Sequence, residues 1–371
     1  RVVNGMPDGE VSSCGDPLVL NSTTIRSAAL EDCDPEMDLY YYNFLGIVGK
    51  FYINPANNQV IPVPMNDMVF EYDENDQEFV ITNESGFKFY FGRQSQNIEV
   101  TTLSRSEEKV STSGYRVGPQ RSSDPNRYEE EYTYNSSWLI YKIISPQARQ
   151  IATFSYESSN IELIYYGEKL VEPAGSTDSD QYQIDNKLEV SQKYISEINT
   201  EFGSILFTYS GSRKDLFGGK RLDYLSIRDD SNSETSRTEL GYKYVDKYRY
   251  YEFGGTPPQP CNSDYDCNRL LLKSITENDL VKHVFDYIEE DESTFPRRYD
   301  VFMDHWGFFN YSSGYGSGHN GWRSAIPDIS FPGGGGLNPI YISGSRKTRH
   351  SSGHILTLKK INNMAGGYQR F

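Results

Sequence analysis

An aromatic residue, one spacer and a tyrosine recur at the ends of short alternating runs: Phe154-Ser155-Tyr156, Phe207-Thr208-Tyr209, Tyr242-Lys243-Tyr244 and Phe285-Asp286-Tyr287. Apolar residues at every second position mark strands with one face toward a core and the other toward water. Each run belongs to a strand, turn and strand. Residues 138–144 turn through Ser145-Pro146 into 151–156, and 194–198 turn at Gly203 into 205–209. Residues 222–227 pass through Asp229-Asp230 into 240–244, and 270–275 pass through Asn278-Asp279 into 281–287. A further copy opens at 355–361 and turns at Gly366-Gly367, and its second strand is expected to break off mid-repeat, as in a piece of a longer polypeptide. A hairpin this small cannot bury both faces, so it gains stability by pairing its edges with its neighbours. The pattern predicts an all-β chain of successive antiparallel hairpins forming a curved sheet with long loop insertions.

Composition agrees with strands and removes some partners. Thirty Tyr and 19 Phe bring aromatics to 14% of 371 residues, and such side chains suit a pleated, half-exposed surface. Asp and Glu number 52 against 36 Lys and Arg, a net charge of -16 that repels phosphate backbones and anionic lipid, so no nucleic-acid partner is expected. No apolar run reaches the roughly 18 residues a spanning helix needs, so no membrane insertion is expected.

Turn signals and composition shifts divide the chain. Residues 1–38 form an irregular N-terminal segment, 39–103 hold N-terminal hairpins, and 104–131 are a polar loop. Residues 132–309 carry the repeat array, 310–352 a Gly/Ser/Asn-rich excursion, and 353–371 the start of a further repeat.

Chemistry is sparse. In Asp304-His305-Trp306-Gly307 an imidazole stands beside a carboxylate that would orient a general base. No nucleophile motif accompanies it, so a structural His and Trp at a strand corner is the simpler reading. Cys14 with Cys33 and Cys261 with Cys267 are disulfide candidates, since a zinc site would want tighter knuckles and companion histidines. Asp264 and Asp266 offer the hard oxygen ligands calcium accepts, but without EF-hand or RTX spacing they read first as a solvated loop. Gly333 to Gly336 lack the Lys-Ser/Thr of a phosphate loop. Glu289 and Glu290 are adjacent and cannot face each other across a sugar. No catalytic residue, cofactor or firm metal site is expected.

Five further segments follow one another along nearly the whole chain: Arg1-Val2-Val3-Asn4-Gly5-Met6-Pro7-Asp8, Tyr42-Asn43-Phe44-Leu45-Gly46 with Gly49-Lys50-Phe51, and Tyr134-Asn135-Ser136-Ser137-Trp138-Leu139 with Lys142-Ile143. Pro296-Arg297-Arg298 leading to Asp304-His305-Trp306-Gly307, and Leu358-Lys359-Lys360-Ile361 leading to Gly366-Gly367-Tyr368, complete the series. Together and in this order they resemble the large exported bacterial Rhs/YD-repeat proteins, in the region following their SpvB-like N-terminal strands. The strict repeat is not kept, because the Gly-Arg that follows Tyr-Asp in that family is missing at Tyr72-Asp73 and Tyr299-Asp300.

The resemblance implies a β-sheet ribbon wound into a shell, in which some relatives enclose a C-terminal toxin or effector that carries the activity. It implies export to the cell surface or beyond, the remainder of a larger polypeptide as partner, and in some members an outer-membrane translocon of type IX secretion. The expected function is a non-catalytic shell or scaffold segment. The alternative, raised by Tyr-rich strands on an acidic body, is a surface adhesin or glycan-binding β module.

Overall fold

The computed structural model describes residues 2–4, 38–54, 57–109, 128–171, 180–211, 213–245, 265, 268–288, 329–331, 340–342, 357–363 and 368–370. Among them strands dominate, for the reason the alternation predicts. Strand β6 (Glu78–Thr82) buries Phe79 and Ile81 and leaves the residues between them half exposed. Asn83 then turns the chain, its Oδ1 accepting the N–H groups of Ser85 and Phe87 at 3.1 and 3.0 Å, so that β7 (Lys88–Gly92) returns with Phe89 and Phe91 inward.

The N-terminal strands are β1 (Val2–Asn4), β2 (Leu39–Phe44), β3 (Ile47–Asn54), β4 (Gln59–Val63) and β5 (Val69–Asp73). After β7 and a short 3-10 turn at Ser95–Asn97 come β8 (Ile98–Lys109), β9 (Tyr128–Trp138), β10 (Ile140–Ile144), β11 (Gln150–Val171) and β12 (Asp180–Thr200). Antiparallel ladders join them in the order β4-β3-β2-β1-β9-β8-β12-β11-β10-β7-β6-β5. The sheet closes on itself as a barrel, and β4 and β5 meet at the seam, where Asn58 Nδ2 donates to Glu74 Oε2 at 2.9 Å.

Aromatic rings fill the barrel. Phe51, Phe79, Phe91 and Ile81 are wholly buried, and Phe79 alone meets the rings of Tyr40, Phe51, Tyr72 and Trp138 at 4.5–6.1 Å. Each buried ring is worth about 1.5–3 kcal/mol from removal of apolar area, and each favourable ring pair adds about 0.5–1.5 kcal/mol. Gly92 has φ of 82°, and a Cβ there would lie 2.5 Å from both Gln77 O and Trp138 Cδ1, so the ring fits only against a glycine.

Beyond the barrel the sheet continues as a ribbon: β13 (Gly203–Ser210), β14 (Arg221–Asp229), β15 (Glu234–Val245), β16 (Arg269–Glu277) and β17 (Leu280–Tyr287). A separate hairpin, β18 (Ile329–Phe331) with β19 (Ile340–Ile342), precedes β20 (Leu358–Asn363) and β21 (Tyr368–Arg370). Ladders run β12-β13-β14-β15-β16-β17-β20-β21. No described residue of β13 to β21 enters the buried apolar cluster. The ribbon is a single layer.

Three details differ from the sequence reading. The expected polar loop 104–131 is shorter among the described residues, because 104–107 of β8 pair with 128–131 of β9. The run 138–144 is broken at Leu139, whose N–H donates to Asn97 O while its carbonyl accepts from Gly92, turning the chain between the two walls of the barrel. Residues 157–171 and 180–193, in which polar side chains outnumber apolar ones, form the outer parts of β11 and β12.

Phe79→Ala should destabilise the chain by about 3–5 kcal/mol, the cost of emptying a close-packed aromatic site. Phe207→Ala, on the half-buried ribbon, should cost less. Urea unfolding followed by far-ultraviolet circular dichroism measures both.

Candidate functional site

The ribbon is built from one repeated device. In four hairpins the last rung lies three residues before a tyrosine: Lys142↔Thr153, Glu197↔Leu206, Tyr224↔Glu239 and Ser274↔Val284. The tyrosine hydroxyl then donates to a first-strand carbonyl two residues before that rung: Tyr156 to Ile140 at 2.6 Å, Tyr209 to Ile195 at 2.9 Å, Tyr242 to Leu222 at 2.7 Å and Tyr287 to Leu272 at 2.8 Å. On the other side of each tyrosine the ladder to the next strand shifts register, at Ser155/Tyr156, Thr208/Tyr209, Gly241/Tyr242 and Asp286/Tyr287. A bulge bends and over-twists its strand, which drops the next rung on the opposite side. The phenol is long enough to cross the gap and satisfy the stranded carbonyl.

This register corrects one copy. The sequence pattern placed the third unit at Tyr242-Lys243-Tyr244, but Tyr242 holds the clip, in Leu240-Gly241-Tyr242. Tyr244 instead accepts the Lys214 N–H at 3.2 Å.

The same register draws an apolar stripe across one face. The residue two before each clip tyrosine pairs with the next unit: Phe154↔Ile198, Phe207↔Leu225, Leu240↔Ile275 and Phe285↔Ile361. The opposite face is more polar: Glu197, Leu206, Ser226 and Arg237 form one row across it, and the Arg237 guanidinium lies 3.8 Å from the centre of the Tyr224 ring. The stripe residues are half-buried.

Two buried carboxylates brace the ribbon, Glu99 at its junction with the barrel and Asp215 within it. On one side of β12 the β8 ladder ends at Ser191↔Val100 and the β13 ladder begins at Glu197↔Leu206. Glu99, 3% exposed, fills the fork: it accepts the Lys193 N–H at 3.0 Å and the Ser137 hydroxyl. Asp215, 2% exposed, takes the Arg213 fork at 2.9 and 2.7 Å and the Leu270 N–H of β16 at 3.3 Å.

Two residues on, Phe217 O accepts from Glu162 of β11 at 3.4 Å, and Gly218 O accepts the Ser159 hydroxyl at 2.6 Å. Strands β11 and β16 are five spacings apart, about 24 Å in a flat sheet. Asp215 and Phe217 span about 7 Å of chain. The ribbon is therefore bowed toward this clasp. Gly218 is required, since φ is 68° and a Cβ would sit 1.8 Å from Asn160 O.

Asp304, His305, Trp306, Gly307, the four cysteines, Asp264 and Asp266 all lie outside the described residues. Among the described residues no three His, Cys, Asp or Glu side chains gather to hold a metal, and no helix is long and apolar enough to cross a membrane. The sequence reading missed Glu99 and Asp215. Only the Asp215 segment left a trace, as a Gly218-Gly219 pair between two strands. No family model matches the chain, and no curated protein matches it.

Burial pushes the Tyr209 hydroxyl from its ordinary value of 10.0 up to about 12, with the Glu157 charge assisting. A raised tyrosine stabilises the fold fully below the unfolded value and loses that contribution as pH climbs through the folded one. Stability should therefore fall between about pH 10 and 12, and Tyr209→Phe should flatten part of that loss while costing about 1–3 kcal/mol at neutral pH through the orphaned Ile195 carbonyl. Thermal melts across that range test both.

Asp215→Ala should leave Arg213 and the Leu270 N–H without this acceptor, speeding hydrogen exchange at 213–220 and 268–270 while β6 and β7 stay protected.

Proposed function

We propose that the chain is a non-catalytic scaffold segment of a secreted or cell-surface protein of the Rhs/YD-repeat type. The observation that carries this reading is the four-fold recurrence of the clip on one register, with an apolar stripe on one face of a single-layer sheet. Repeated bulges at equivalent positions bend a sheet one way, as a wall enclosing a volume requires. An amphipathic wall with its apolar face half-buried fits contents on that side and water on the other. The ordered motifs quoted above supply the family. In that family activity belongs to a variable effector region, so the reading assigns no chemistry to these residues. The partners it implies are the rest of the chain's own polypeptide and a secretion translocon.

Hydroxyl-radical footprinting tests the reading without altering a residue. Phe207 and Phe285 should be oxidised several-fold more slowly in the protein as secreted by its host than in the isolated 371-residue chain, whereas Tyr224 on the polar face should not differ. Equal rates for Phe207 and Phe285 in the two preparations would remove the enclosed contents and the scaffold reading with them.

A further inference from the structure

The four clips are not surrounded alike. Tyr209 carries the Tyr194 ring at 5.3 Å, Tyr242 the Arg221 guanidinium at 5.6 Å, and Tyr287 the Lys243 ammonium at 5.7 Å. Among the described residues no ring or cation packs on Tyr156. A cleft of about 270 Å³ opens there instead, where β10 parts from β11 and the 3-10 turn at Ser95–Asn97 comes against the Phe154-Ser155-Tyr156 edge.

Its floor is rigid. Asn97 is 5% exposed, its Nδ2 donates to Gly92 O at 3.0 Å, and its carbonyl accepts the Leu139 N–H at 2.8 Å. Arg93 at the rim is held at φ of 73°, a backbone conformation that costs energy for a residue with a side chain and recurs at ligand sites. Its guanidinium is half exposed, 3.8 Å from Asp76 and 3.9 Å from Glu78, and hydrogen-bonds the Tyr141 oxygen, whose hydroxyl goes to Glu78.

The lining groups choose the chemistry. Gln96 Nε2 donates to Gln94 Oε1, which leaves the Gln94 amide N–H groups and the Gln96 carbonyl for a ligand; Thr153 and Ser155 add hydroxyls, and Tyr141, Phe154 and Tyr156 bring aromatic surface. Among the described residues the only charge in the wall is Arg93, balanced by two carboxylates behind it. A phosphate or carboxylate would meet those carboxylates, and a cation would find no free anion in the wall. A neutral ring with hydroxyls on its rim and C–H groups on its face satisfies both kinds of lining at this volume. We propose that the cleft between the barrel and the first clip binds one neutral hexose unit of a glycan, with Gln94, Gln96 and Arg93 on its hydroxyls and Tyr156 against its face. The site is independent of what the ribbon encloses.

Saturation-transfer difference NMR of the 371-residue chain with glucose, galactose, mannose and their disaccharides is the test, with arginine methyl ester and inorganic phosphate as the charged probes. A neutral sugar should give transfer, and Gln94→Ala/Gln96→Ala, two exposed positions that leave the melting temperature unchanged, should weaken it about tenfold, the worth of one or two hydrogen bonds. Ser155→Ala, equally exposed, should weaken it less. Transfer from none of the sugars, from a charged probe alone, or undiminished in the double variant would each overturn the assignment.

Discussion

A backbone carbonyl that loses its rung must find another donor, and the architecture of the ribbon follows from how this chain meets that demand. A flat antiparallel sheet satisfies every rung but does not bend, while a bulged sheet bends and leaves a carbonyl behind. Half-buried in a single layer, that carbonyl has poor access to water and would cost about 1–3 kcal/mol if left alone. A phenol at a fixed offset resolves the conflict, since the residue that follows the bulge also reaches the carbonyl the bulge has stranded. Serine is too short to cross the gap, and phenylalanine carries no donor.

The barrel does different work. Its aromatic interior gives the chain the dense apolar burial that the ribbon lacks, and the two share one strand, β12, which pairs with β11 on one side and with β8 and then β13 on the other. Two ladders arriving on the same side of one strand leave a gap, and the Lys193 N–H falls into it. Glu99 supplies the acceptor there, as the tyrosines supply donors further out. A backbone N–H and a serine hydroxyl both point at this carboxyl group and offset the cost of burying it.

Strands were legible where side chains alternate and opaque where they do not. Phe79-Val80-Ile81 and Phe207-Thr208-Tyr209 announce themselves, because a half-buried strand must place apolar groups at every second position. The outer arm of β11, Ser158-Ser159-Asn160, carries no such signal, since it is held by its long ladder to β12. Of the four clips, three stand at the end of an aromatic-x-tyrosine run, and the Tyr242 one lies two residues before the run's last tyrosine, because Leu240 replaces the phenylalanine and a second tyrosine follows. Glu99 and Asp215 look like any surface acid in the sequence, and their roles come from partners 94 and 55 residues away. The cleft was illegible for the same reason: Gln96 and Ser155 meet only after β10 has parted from β11.

The stripe and the clasp also constrain each other. Each phenylalanine or leucine preceding a clip packs beside an isoleucine or leucine of the following unit, so the clip that sets the bend also sets which side becomes apolar. Had the bulge fallen two residues earlier, the period-2 rule would have sent Phe207 and Phe285 to the opposite face. The clasp at 213–219 then ties β11 to β16 across the bow, through Asp215 on one side and Phe217 on the other. Bend direction, apolar face and strap thus agree with one another. Such agreement between levels is what lets a one-layer ribbon, without a second sheet to pack against, keep a single shape.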